Sequence, residues 1–128
     1  MDKKRVIQEK YGELFYHDLY GRDAILLREA LEEIAEHLGN TMENPISISL
    51  LCLQFLMPQY ICRLIYLDIL KLIKGKNAEE LKISQVKEIM VKHFPEADGY
   101  SDLTIRAFIK AIAKCWLPEL RPFADNLS

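Results

Sequence analysis

Glycine is scarce and scattered in this chain, with five in 128 residues and none adjacent to another. That excludes the glycine-rich loops that cradle phosphates and dinucleotides, because those need several glycines within one turn. Cysteine is limited to three, an odd number, each in an apolar helical stretch. Reduced thiols in a cytoplasmic protein fit this better than a disulfide framework. Charge of one sign is lacking as well. The net charge is −2 and the pI about 5.9, so no global pull toward nucleic acid or an anionic membrane exists. Residues 1–14 pass from basic into mixed charge without the apolar stretch of a signal peptide. No repeat and no low-complexity segment interrupts the chain. At this length one domain with a real core is expected.

What the chain does hold is a long apolar run. Of the 28 residues from Ile46 to Ile73, 20 are apolar, and residues 44–62 carry no charge. The run nearly reaches the roughly 20 residues of a membrane span. Its content argues otherwise. Ser47, Ser49, Gln54, Pro58 and Gln59 interrupt the first part, and Arg63, Asp68 and Lys71 follow. Each central charge costs roughly 3 kcal/mol in a bilayer. The expectation is therefore a core element of a protein with no membrane partner.

Pro58 has no N–H to donate and clashes with the preceding turn, so it breaks the run. Two pieces are predicted, Ile46–Met57 and Gln59–Lys74, with Asn44 as N-cap, Pro45 at the first helical position and Gly75 closing the far end. Around the second piece, Ile61, Cys62, Ile65, Tyr66, Ile69, Leu72 and Ile73 form one apolar face. Tyr60, Leu64, Leu67 and Leu70 are interleaved with Gln59, Arg63, Asp68, Lys71 and Lys74 on the other. A helix apolar on nearly every side is surrounded by protein. Either it is the central core helix, or Tyr60, Leu64, Leu67 and Leu70 form the interface to a second copy or a helical partner.

The remaining segments read as helices, and no strand is expected. A helix over Lys3–Leu19 carries Ile7, Tyr11, Leu14, Phe15 and Leu19 at helical spacing, and Gly21 breaks it. A second runs from Asp23 to Leu38, with Gly39 just past its end. Its Leu27, Leu31, Ile34 and Leu38 step by 4, 3 and 4, while Arg28, Glu29, Glu32, Glu33 and Glu36 face away. These two make an amphipathic hairpin over 1–43, followed by the apolar central helices over 44–75. A short turn is expected from Asn77. Ser84 then caps a helix to Phe94 with Val86, Ile89, Met90 and Phe94 inward, residues 95–100 form a loop, and Ser101 caps a helix through Trp116. Pro118 ends it, and the tail, residues 118–128, is expected to lie extended. The fold class is all-α, a single-domain bundle of five or six helices around a long, proline-interrupted apolar central helix.

No motif for chemistry stands out. Glu29, Glu32, Glu33, Glu36 and His37 invite a metal reading, but the carboxylate-bridged pattern needs Glu-x-x-His on facing helices. Ile34 stands three before His37, and no second copy exists. A solvated acidic face explains the cluster. Residues 98–102 lack the ladder of a calcium loop. Neither His17 nor His93 has a cysteine or serine at a catalytic spacing. No enzyme, cofactor or metal is expected.

One layout carries more. Residues 77–117 resemble a helix-turn-helix, whose second helix enters the major groove. Arg106, Lys110 and Lys114 form one basic stripe there, with Thr104 near its start. Those lysines and Arg106 would contact phosphates, and Thr104 with Arg106 base edges. Against this, residues 77–128 are net −1 and the turn is long. The leading expectation is a small, non-enzymatic cytoplasmic regulatory or adaptor protein. It acts through helix–helix contacts, as a homodimer. The alternative is a DNA-binding regulator using residues 84–116.

Overall fold

The computed structural model describes residues 22–127. Among the described residues are six α-helices, three short 3-10 turns and no strand. The helices are α1 (Arg22–His37), α2 (Ile48–Gln54), α3 (Gln59–Ile73), α4 (Ile83–His93), α5 (Asp102–Cys115) and α6 (Arg121–Asp125). The helix expected over Lys3–Leu19, and its break at Gly21, lie outside the described residues. Contacts divide the chain into two units, Met1–Ile34 and Ala35–Ser128.

In the first unit, α1 forms as its periodicity predicts. Leu27, Leu31 and Ile34 are exposed, together with Ile25 and Leu26. Arg28 and Glu32 pair across one turn at 3.7 Å.

The second unit begins with the end of α1. Asn40 N–H reaches Ala35 O at 2.9 Å and Gly39 N–H reaches Glu36 O at 2.9 Å. This is a Schellman closure, and Gly39 supplies the left-handed residue it requires, at φ 88°. Leu38 is exposed beside it.

The apolar run departs from expectation at its start. Ser47, not Asn44, caps α2, its hydroxyl accepting from Leu50 N–H at 3.1 Å. Asn44 is instead held in a turn with Thr41. The helix stops at Gln54, three residues early, because the chain closes before the proline. Met57 N–H bonds Cys52 O at 2.8 Å and Leu56 N–H bonds Leu53 O at 3.2 Å. Leu56 thereby takes φ 55°. Pro58 then opens α3 as its N-cap, a place where its missing N–H costs nothing.

The run is therefore two short helices and not the long central element. α5 takes the central place. Eight of its 14 residues are buried, Thr104, Ile105, Ala107, Phe108, Ile109, Ala111, Ile112 and Ala113, against four of 15 in α3. Its three alanines let neighbouring backbones approach, and Phe108 fills the space beside Phe55 and Tyr100. Ser101 caps it as expected, accepting from Thr104 N–H at 3.2 Å.

The start of α4 and the tail differ too. Gln85 folds back to accept from Lys82 N–H at 3.0 Å, so α4 begins at Ile83, ahead of Ser84. The tail is not extended. It forms a 3-10 turn, Pro118–Leu120, and then α6, with Leu117, Leu120, Phe123, Ala124 and Leu127 buried. Those residues recur every three or four positions, a helical period that the two prolines mask. Pro122 sits in the first turn of α6, where a proline needs no donor.

Candidate functional site

The two sides of α3 have different fates. Cys62, Ile65, Ile69 and Ile73, spaced by 3, 4 and 4, are buried. Tyr60, Leu64, Leu67 and Leu70 are 67%, 43%, 46% and 38% exposed. The expected interface residues thus share one uncovered side. Leu53 and Leu56, at the preceding corner, are exposed as well.

The charges on α3 are held by two contacts. Arg63 lies over the Trp116 ring at 4.8 Å, and Tyr66 meets the same ring edge-on at 5.8 Å. The stacked guanidinium keeps its in-plane donors free for a planar acceptor. Asp68 accepts from His93 Nε2 at 2.6 Å and Lys92 Nζ at 3.4 Å, tying α3 to α4. The His93 bond, with Lys92 behind it, holds the Asp68 carboxyl below the usual carboxylate range. Beside this clasp a shallow groove of about 620 Å³ runs between α3 and α4, from Lys71 and Leu72 to Glu88 and Ile89. Arg63, Lys71 and Lys74 are exposed, and none has a carboxylate partner within 4 Å among the described residues.

Beneath the exposed face, Cys52 and Cys62 are buried free thiols, and Cys115 is free but exposed, outside the core expected for it. The Cys62 thiol donates to Cys52, which with burial pushes Cys62 far up. Tyr100 stacks on Phe108, its ring plane within 7°. Its hydroxyl is buried with no hydrogen-bond partner among the described residues, and burial pushes it up to about 12.

The basic stripe is largely engaged within the unit. Lys110 Nζ donates to Glu43 O at 2.9 Å and Lys114 Nζ to Asn44 Oδ1 at 3.2 Å, so both lysines fasten the 40–46 loop. Cys115 Sγ approaches Ile46 O at 3.8 Å on the same loop. Thr104 is 8% exposed and its hydroxyl lies 3.1 Å from Ser101 Oγ, inside the cap. Arg106 alone of the four stands exposed with no hydrogen bond or ion pair to another described residue. Beside the loop, a cleft of about 330 Å³ brings Arg121 near Lys110 and Lys114, opposite Glu43 and Asp125. Arg121 was invisible as a neighbour in the sequence because it depends on the tail folding back.

Among the described residues, no three His, Cys, Asp or Glu side chains gather closely enough to hold a metal ion. None of the described helices is long and apolar enough to cross a membrane. Comparison of the chain with protein-family models, with curated proteins and with solved structures gives no match.

Proposed function

We propose that this chain is a small, non-enzymatic, cytoplasmic regulatory or adaptor protein that acts through helix–helix contacts as a homodimer. The uncovered side of α3 is its interaction face. The observation that carries this reading is the exposure of Tyr60, Leu64, Leu67 and Leu70 on one helix whose opposite side is sealed in the core. A contiguous apolar surface rimmed by polar groups marks an interaction site. Tyrosine and arginine are favoured anchors in such sites, and Tyr60 and Arg63 supply both.

Leu56 supports the same face. A leucine at φ 55° and 72% exposed carries backbone cost without packing return. A covered Leu56 in the dimer supplies the return. The buried thiols Cys52 and Cys62 suit a reducing compartment.

The test is Leu64→Glu with Leu67→Glu, followed by sedimentation or light scattering. A folded monomer from a dimeric parent supports the reading, and a dimer that persists rejects it. The nucleic-acid reading has less to draw on, since Thr104 is buried and Lys110 and Lys114 fasten a loop. A labelled duplex titrated at about 50 and 200 mM salt, with Arg106→Glu alongside, tests it, because phosphate contacts weaken steeply with salt.

A further inference from the structure

The cleft beside the 40–46 loop gathers charge of both signs without neutralising it. α5 contributes Lys110 and Lys114, one turn apart, and α6 contributes Arg121 and Asp125 at the same spacing. Glu43 comes from the loop. Among the described residues, none of these five has an oppositely charged side chain within 4 Å.

The lysines are held by neutral acceptors instead. Lys110 Nζ donates to Glu43 O at 2.9 Å and Lys114 Nζ to Asn44 Oδ1 at 3.2 Å. Each ammonium is thereby positioned, keeps its charge uncompensated and has further donors to give. On α6 the arginine precedes the carboxylate by four residues, the weaker order for a helical ion pair. Arg121 and Asp125 stand apart accordingly. The floor of the cleft is Ala113 and Ala124, both buried, whose small side chains leave a recess of about 330 Å³. That is the lower end of the range for small-molecule sites, about 300–1,000 Å³.

We infer that this cleft binds a small zwitterion, its oxyanion group against Lys110, Lys114 and Arg121 and its protonated amine against Glu43 and Asp125. The charge set disfavours simpler ligands. A bare anion meets two carboxylates, and a bare cation meets three cationic side chains. An apolar molecule finds only two methyl groups on the floor. A ligand with both signs answers both sets, and the Arg121 guanidinium offers its oxyanion two parallel hydrogen bonds. The site exists only once the tail has folded back, because Arg121 and Asp125 arrive with α6. It lies within the second unit and is independent of the α3 face.

The test uses the full chain and phosphoethanolamine, which carries a phosphate and an ammonium two carbons apart. Inorganic phosphate and ethylamine supply each half alone. Binding is read by calorimetry and by amide shifts in NMR. The probe is expected to bind about tenfold or more tighter than either half, the value of one charge-assisted hydrogen bond. It should move the amides of residues 43–44, 110–114 and 121–125, and it should raise the melting temperature because it ties the loop and α6 to α5. Arg121→Gln and Asp125→Asn are each expected to weaken it about tenfold, while Arg106→Gln leaves it unchanged. All three positions are exposed, so the fold is retained.

No binding at about 10 mM probe overturns the site. So do shifts that fall outside the three segments, a reading that needs no variant. Phosphate bound as tightly as the probe, with Asp125→Asn silent, overturns the zwitterion. An equal loss from Arg106→Gln reduces the effect to general attraction by the basic stripe and overturns it too. Vesicles containing phosphatidylethanolamine distinguish the sources of such a group. Co-sedimentation abolished by Arg121→Gln supports a lipid headgroup in the cleft, and binding of the free probe alone supports a soluble ligand there.

Discussion

Arg63 rests on Trp116, with its guanidinium carbon 4.8 Å from the ring centroid, and this contact joins the first part of α3 to the end of α5. Trp116 is the only tryptophan in the chain, so its fluorescence reports on this contact directly. An exposed cation over an indole contributes about 0.5–1 kcal/mol. Arg63→Ala is expected to lower stability in urea by about that amount and to shift the emission of Trp116. Unchanged emission would show that the stacking does not persist in solution.

Leu56 offers a second point of leverage. Its left-handed backbone costs about 1–2 kcal/mol in a residue with a Cβ, and glycine there avoids that cost. Leu56→Gly loses almost no packing in the unit, because the side chain is exposed. Glycine also has more freedom to lose on folding, so a net gain of about 0.5–1 kcal/mol is expected in chemical denaturation. If Leu56 belongs to the dimer face, the same change weakens self-association. Stability and association then move in opposite directions.

The Asp68 clasp predicts an acid-side dependence. Its carboxyl is held below the ordinary value by His93 first and Lys92 second. The folded state therefore binds its proton less readily than the unfolded chain. The stabilisation is present above about pH 4, the unfolded aspartate value, and is lost as pH falls below it. Asp68→Asn is expected to lower stability at neutral pH and to flatten that part of the profile. Parallel wild-type and variant profiles between pH 5 and 2, measured in steps of about one unit, would remove Asp68 from this role.

Tyr100 predicts the opposite limb. Its hydroxyl is buried without a partner, and the phenol is pushed up to about 12. Above the unfolded tyrosine value of about 10, the unfolded chain loses the proton before the folded one does, so stability falls as pH rises through that window. Tyr100→Phe is expected to remove that alkaline loss. It also deletes an unsatisfied polar group, which costs about 1–3 kcal/mol when buried. A thermal melt at pH 7 should therefore show equal or higher stability. A marked fall there would mean that the hydroxyl has a partner in solution.

The helices, their apolar stripes and most of their ends were legible in the sequence, because local physics decides them. Ser101 capped α5 where its hydroxyl meets the first orphan N–H groups, Gly39 closed α1, and Pro58 started α3. The apolar side of α3 that is sealed also followed from spacing, whereas spacing left open whether the mixed side is covered. Tyr60, Leu64, Leu67 and Leu70 share their side with three cations, while Cys62, Ile65, Ile69 and Ile73 share theirs with none. The prolines of the tail hid a helical period, and so α6 and the place of Arg121 were missed.

Which helix sits at the centre was a tertiary decision. The run over 46–73 is the most apolar in the chain, yet α5 is the more buried, because three alanines and Phe108 let other elements pack closely around it. Hydrophobicity ranks what prefers to leave water, and it does not say which helix has the shape to be surrounded. The fate of the basic stripe was settled the same way. Lys110 and Lys114 lie 67 and 70 residues from the loop atoms they bind, a pairing across chain distance that no local pattern encodes.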